Sequence, residues 1–225
     1  MGLEFKLFAP LSPNVVSTII VVTVLSIIFI LVGTRIDKLN PKTMPKGFLF
    51  FWIMVVETFN NFIREHLPGS RFKLFGPYLF SILMFLAVGN TISLFGLKPP
   101  LANLGVAMTL SIITFFLIKF SEMKYQGIIK KLDGLLGYVK PLAVIMLPIN
   151  LIGEFSTPIT MGMRLFGNLM SGMVISVMVY TATSWFTGII AGVFVHAIFD
   201  IFFGLIQAFV FFMLSLINLS MASDS

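Results

Sequence analysis

No cysteine occurs among the 225 residues, which excludes disulfides and thiolate metal sites. Charge is scarce too. Asp, Glu, Lys and Arg make up 11% of the chain, well under the ~25% usual in soluble domains. There is no phosphate-binding glycine loop, no HExxH metal motif, no glycine-rich dinucleotide turn, and no Ser/His/Asp set with a workable spacing. Nucleotide chemistry on this chain is therefore not expected, and no cofactor site is indicated. A basic leader with a small-residue cleavage site is also missing. The opening MGLEFKLFAPLSP carries one acid, one base and two prolines, so residues 1–14 read as a short external segment. The first hydrophobic run is expected to stay in the mature protein. What the chain has in abundance is apolar surface: 58% hydrophobic residues and 26 phenylalanines, with a mean hydropathy of +1.04. This composition predicts an all-α integral membrane protein, one membrane domain over 1–225. The net charge of +6 does not point to nucleic acid, because the basic residues sit between apolar runs.

The runs define the layout. Residues 15–33 are long enough to span a bilayer once, and Arg35 and Lys38 follow them. After the proline-broken stretch 40–46, residues 48–66 begin apolar and end with Glu57, Asn60, Asn61, Arg64 and Glu65 at three- and four-residue steps. That is one polar stripe on a helix, read as an interfacial amphipathic helix, with a short span frayed at its polar end as the alternative. Residues 75–97 form a second span, Lys98-Pro99-Pro100 a turn, and residues 104–118 a third, short span. A charged loop over 119–140 leads to two long apolar stretches, 140–182 and 185–221. Each would be about 55–65 Å long if helical throughout, roughly twice a hydrocarbon core. Each therefore folds back or crosses obliquely; Pro148 and Pro158 favour a break in the first, and the second has no proline.

Charge decides between these. Twelve of the fifteen lysines and arginines lie between spans one and two or between spans three and four. The positive-inside rule puts both regions in the cytoplasm, with the N-terminus outside and the C-terminus inside. Two crossings in either long stretch would break that alternation, so the last two helices are expected to be single oblique passes.

Within the apolar stretch 140–182 the only formal charges beyond Lys140 are Glu154 and Arg164. An embedded guanidinium costs roughly 2.5–3.5 kcal/mol on insertion scales and cannot shed its proton. Arg164 is therefore expected to face a partner or a wet cavity. Thr160, Arg164, Asn168 and Ser171 share one narrow helix face, and Gly162, Gly167 and Gly172 let another backbone come close. Glu154 stands about 15 Å of helix rise from Arg164, too far for a direct pair. In the last stretch His196, Asp200 and Gln207 fall at i, i+4 and i+11, one face of an α-helix, which Asn218 continues. A lone histidine on an apolar helix is ordinarily a satisfied core residue. One turn from an aspartate, in a membrane, the pair points instead to an ion path or proton relay.

RLFGN at 164–168, preceded by EFSTPITMGM and followed by QAFVFFMLSLINLSMA at 207–222, closely resembles the subunit a family of the F-type ATP synthase membrane sector, in its bacterial form. The resemblance covers most of the chain. It implies an ion-translocating stator subunit without catalytic activity of its own, in a bacterial plasma membrane. The implied partners are a rotating ring of c subunits, the peripheral-stalk subunit b and the rest of the synthase. Arg164 matches the family's essential arginine, which faces the ring carboxylates, and Asn168 and Gln207 match its polar neighbours. Glu154 matches an acid attributed to the outward-facing half-channel, which Asp200 and His196 would also line. Two positions depart from many bacterial relatives: Met173 stands where they carry Glu, and Asp200 where they carry His. This looks like an exchange across facing helices.

Two other classes compete. A secondary transporter with its own substrate site at Arg164 would call for internal repeats, and the first 75 and last 80 residues share no pattern. In a structural membrane scaffold, Arg164 would only salt-bridge a partner.

Overall fold

The computed structural model describes residues 12–38, 47–67, 69–127, 143–183 and 185–221. Residues 1–11, the 40–46 loop, and Lys130, Lys131 and Lys140 lie outside the described residues. Among the described residues every regular element is helical. In order these are α1 (Pro13–Asp37), α2 (Phe48–His66), α3 (Ser70–Thr91), α4 (Leu104–Tyr125), α5 (Ala143–Ala182), α6 (Trp185–His196) and α7 (Gly204–Met221). A π-helical segment, Ala197–Phe203, joins α6 to α7 without a break. Short 3-10 turns at Ile92–Phe95 and Pro100–Ala102 connect α3 to α4. Five runs are long and apolar enough to cross a membrane: Pro13–Ile36, Ser70–Phe95, Leu104–Tyr125, Ile145–Ala182 and Ile190–Met221. The chain is a multi-pass membrane protein.

Local sequence explains the ends. Proline stands at the first helical position of α1, where its missing N–H is no loss. Asn103 caps α4, its side-chain oxygen accepting from the Gly105 N–H at 2.8 Å. Gly96 closes the 3-10 turn after α3 with φ +74°, a conformation that favours glycine.

Two boundaries differ from the sequence expectation, and the break that the prolines favoured in the first long stretch does not occur. Helix α3 starts at Ser70, ahead of the expected apolar start, and carries Pro77 inside it. Helix α4 continues to Tyr125, so Lys119, Glu122 and Lys124 are on a helix and not in a loop. Helix α5 runs unbroken through Pro148 and Pro158 for 40 residues, about 60 Å. Beside Pro158 the Ser111 hydroxyl of α4 donates to the Pro158 carbonyl at 2.5 Å and ties the two helices together.

Helix α2 lies across the bundle. Trp52 meets Phe29 of α1 edge-on, Phe59 packs near Phe80 of α3, and Phe62 near Phe212 of α7. The carbonyl of its last residue, His66, accepts from the Ser220 hydroxyl of α7. Its polar stripe, Glu57, Asn61, Arg64 and Glu65, is exposed on the other side. The core that this strap covers holds Ile63, Leu79, Leu86, Leu165, Phe211 and Leu216, all fully buried.

Close backbone approaches fix the heights of the long helices. A Cβ on Gly162 would lie 3.2 Å from Met108 Cα and 3.4 Å from the Ala107 carbonyl oxygen. Helices α4 and α5 therefore touch backbone to backbone, the usual means of gaining contact where lipid removes the hydrophobic drive to associate. A Cβ on Gly204 would lie 3.0 Å from Asn90 Cβ. There Asn90 donates to the Gly204 carbonyl at 2.9 Å and joins α3 to α7.

Candidate ion-path site

Helix α5 presents two unlike faces around Arg164. Met161, Leu165 and Leu169 are buried against the bundle, while Thr160, Arg164, Asn168 and Ser171 are exposed along the opposite side. The spacing that puts four polar residues on one stripe thus leaves that stripe on the outside of the molecule. Among the described residues Arg164 has no ion-pair or hydrogen-bond partner. One turn on, the Asn168 amide donates to the Gln207 side-chain oxygen of α7 at 2.6 Å, and Gln207 is only 5% exposed. The structure thus brings Asn168 and Gln207 together.

At the end of the bundle where α5 turns into α6, a cavity of about 750 Å³ opens. Its wall includes Ser93, Gly96, Tyr180, Thr183 and His196. His196 Nδ1 lies 2.6 Å from Asp200 Oδ2. The carboxylate fixes the ring's orientation, and Nδ1 carries the proton whenever Asp200 is ionised. Tyr180 faces the imidazole with ring centroids 6.2 Å apart. Asp200 sits inside the π segment, so α-helical spacing does not carry from His196 to Gln207. The single face expected from i and i+11 is replaced by two separate meetings with α5, His196 at Tyr180 and Gln207 at Asn168. Interruptions of this kind are frequent at functional sites. A Cβ on Gly172 would lie 3.2 Å from Phe199 Cβ, so Met173 and Asp200 occupy similar heights on neighbouring helices.

The opposite end of the bundle holds a second cavity, about 250 Å³, lined by Lys119, Glu122, Gln126, Glu154, Thr157 and Asn218. Lys119 Nζ lies 2.8 Å from Glu154 Oε1 and 2.9 Å from Glu122 Oε2. Glu154 therefore pairs with α4, as its distance from Arg164 along the helix requires. It does not share a cavity with His196, the partner of Asp200: the two groups stand at opposite ends of the bundle, with Arg164 between them along α5. Lys119, Glu122 and Tyr180 are cavity residues that the sequence does not single out. Lys119 and Glu122 fall in a stretch expected as a loop, although their three-residue spacing is a helical pair signal. Tyr180 carries no sequence signal.

Comparison with known proteins agrees with this architecture. A family model described as ATP synthase A chain matches residues 15–220. ATP synthase subunit a of Chlorobium phaeobacteroides is 30% identical over 226 residues, covering 95% of this chain and 65% of that protein. ATP synthase subunit a 2 of Chlorobaculum tepidum is 31% identical over 203 residues, covering 85% of this chain and 57% of the relative. A protein of Propionigenium modestum named ATP synthase subunit a, sodium ion specific, is 28% identical over 227 residues, 92% of this chain and 73% of that one. The chain thus spans somewhat less than two thirds of the first two relatives. With a family model covering nearly all its length, and with the helices that the resemblance implied, the chain belongs to the ATP synthase A chain family.

Proposed function

We propose that the chain is the ion-translocating stator subunit of an F-type ATP synthase, with Arg164 facing the carboxylates of a c-subunit ring. The observation that carries this reading is the placement of Arg164. It is a cation that cannot be neutralised, exposed and unpartnered among the described residues, between two cavities at opposite ends of the bundle.

The physics follows from the cost of bare charge in lipid. A ring carboxylate facing hydrocarbon must be neutral, with H+ or Na+ bound. Opposite Arg164 its anionic form is favoured, because a nearby cation lowers a carboxylate's affinity for its proton. The cavity at His196, the partner of Asp200, is the outer half-channel. The resemblance assigned Glu154 to the outward-facing path, but its cavity is instead the inner one. It opens at the end of α4 that carries Lys119 and Lys124, in the basic region that the positive-inside rule puts in the cytoplasm. An ion entering on one side loads a carboxylate, the ring turns, and Arg164 displaces the ion from the next carboxylate as it arrives. The same positive charge bars direct leakage between the cavities. Each passage draws about 2.3 kcal/mol per charge per 100 mV and advances the ring by one subunit. Asp200 supplies on α6–α7 the carboxylate that Met173 lacks on α5. Asn168 and Gln207, locked together, keep the polar face of α5 in register with α7. The subunit acts with the c ring, the peripheral-stalk subunit b and the rest of the complex. It sits in the bacterial plasma membrane with its N-terminus outside and its C-terminus in the cytoplasm.

The test is Arg164→Ala in the whole complex. Coupled ATP synthesis is expected to vanish while the subunit still assembles. Normal coupling in that variant would refute the role.

A further inference from the structure

We propose that Tyr180 is a positioning residue of the outer half-channel: seated end-on against the bare backbone at Gly192, its ring holds the imidazole of His196 on Asp200 and so keeps the way from the cavity to that carboxylate in order. The proposal rests on the reading of the cavity at His196 as the outer path.

His196 stands between the cavity and the acid. It is part of the cavity wall and its side chain is 35% exposed, whereas that of Asp200 is 13% exposed and lies behind it. An ion bound for Asp200 therefore passes the imidazole, and the lie of that ring decides how well the two meet. Among the described residues the imidazole makes one hydrogen bond, from Nδ1 to Asp200 Oδ2 at 2.6 Å. That bond fixes which nitrogen meets the acid, but a ring held at one point can still tilt about it. The other groups close by are few. Ser93, from the connection between α3 and α4, is neutral, and no described Lys, Arg or Glu lines this cavity. Tyr180 of α5 is the second contact. Its ring centroid is 6.2 Å from that of the imidazole with 39° between the planes, within the range of a favourable ring–ring contact.

Gly192 decides where the tyrosine ring can lie. It precedes His196 by four residues, so the two share a face of α6. A Cβ on Gly192 would lie 2.8 Å from Tyr180 Cε1 and 2.9 Å from Cζ, and would strike the phenol oxygen as well. The phenol end thus rests on the backbone at Gly192, and the ring reaches along α6 to His196. A residue that only packed helices together would look different. Tyr180 is 47% exposed, so little of the α5–α6 contact depends on its bulk. That contact has its own close approach nearer the turn, where a Cβ on Gly188 would lie 3.1 Å from Thr183 Oγ1. The phenol hydroxyl makes no hydrogen bond among the described residues, so the ring, and not the hydroxyl, does the positioning.

The experiment is a double-mutant cycle in the intact synthase, with ATP synthesis per assembled complex measured in membrane vesicles under an imposed ion gradient. Tyr180→Ala and His196→Ala should each slow synthesis by about tenfold or more. Because Tyr180 acts through His196, the double variant should match His196→Ala alone to within about twofold. Tyr180→Phe keeps the ring and should recover most of the rate. Gly192→Ala lifts the ring from its seat with both partners in place, and should slow synthesis as Tyr180→Ala does. Losses that multiply in the double variant would overturn the proposal. So would full speed per complex in Tyr180→Ala or in His196→Ala, or a Tyr180→Phe as slow as Tyr180→Ala. Should Tyr180→Ala fail to assemble, Gly192→Ala with and without His196→Ala completes the same cycle. Arg164→Ala separates the levels. If that variant stays coupled, the ion-path reading itself falls; if it uncouples while Tyr180 and His196 act independently, only the role of Tyr180 falls.

Discussion

The two cavities solve one problem with different charges. At the α5–α6 end a carboxylate, Asp200, is paired with an imidazole at 2.6 Å. At the other end a carboxylate, Glu154, is paired with an ammonium at 2.8 Å. One end thus sets a carboxylate against an imidazole nitrogen, the other against an ammonium that also meets Glu122. The volumes differ too, about 750 Å³ against about 250 Å³. Under the proposed function the outer cavity collects ions and the smaller inner one meters their exit.

Removing what separates the cavities should have the largest effect. Arg164→Ala is expected to lower ATP synthesis by roughly a hundredfold or more and to let ions leak passively through the membrane sector, measured as dye-detected pH decay in stripped vesicles. A tight membrane in that variant would mean that the arginine is no barrier between the two cavities.

Disabling one end should cost less and show on one side only. Asp200→Asn keeps the shape and removes the proton acceptor, and it should slow ATP synthesis by about ten- to a hundredfold. The loss should follow the pH outside the cell and not the pH inside. Dependence on the inner pH instead would reverse the assignment of the two ends.

The helix contact beneath both cavities can be broken without touching a charge. Gly162→Val drives a branched side chain into Met108 and the α4 backbone, a strain of about 1–3 kcal/mol. Less of the chain should be recovered in the purified complex, and the thermal midpoint of what remains should fall. Full recovery would show that α4 and α5 can part at no cost to either cavity. The smallest effect is expected for Gln207→Leu. It leaves the Asn168 amide without its partner, a loss of about 1 kcal/mol, so ATP synthesis should drop only several-fold with assembly intact.

Much of this was readable from residue order, and for reasons that lie within single helices. Composition and run length made the chain a membrane protein, and four polar residues at helical steps marked the stripe around Arg164. The motif RLFGN with its distant glutamine carried the family, and Glu57, Asn61, Arg64 and Glu65 marked the outer face of α2. The misreadings began where contacts between helices entered. Charge placed Lys119 and Glu122 in a loop, yet α4 extends past them because they pair with each other and with Glu154. The π segment holds no proline or glycine of its own, so α-helical spacing puts His196 and Gln207 on one face although the helix changes its winding between them.

Residue order alone thus determined the apolar spans, the arginine set deep in one of them and its polar stripe, because each is a matter of periodicity along one helix. Only the tertiary structure decided that Glu154 and His196 stand at opposite ends of the bundle and that one lysine serves two acids. Those facts depend on the heights at which separate helices meet, set by contacts such as Gly162 on Met108 and Gly204 on Asn90. Periodicity along one helix carries no information about such heights.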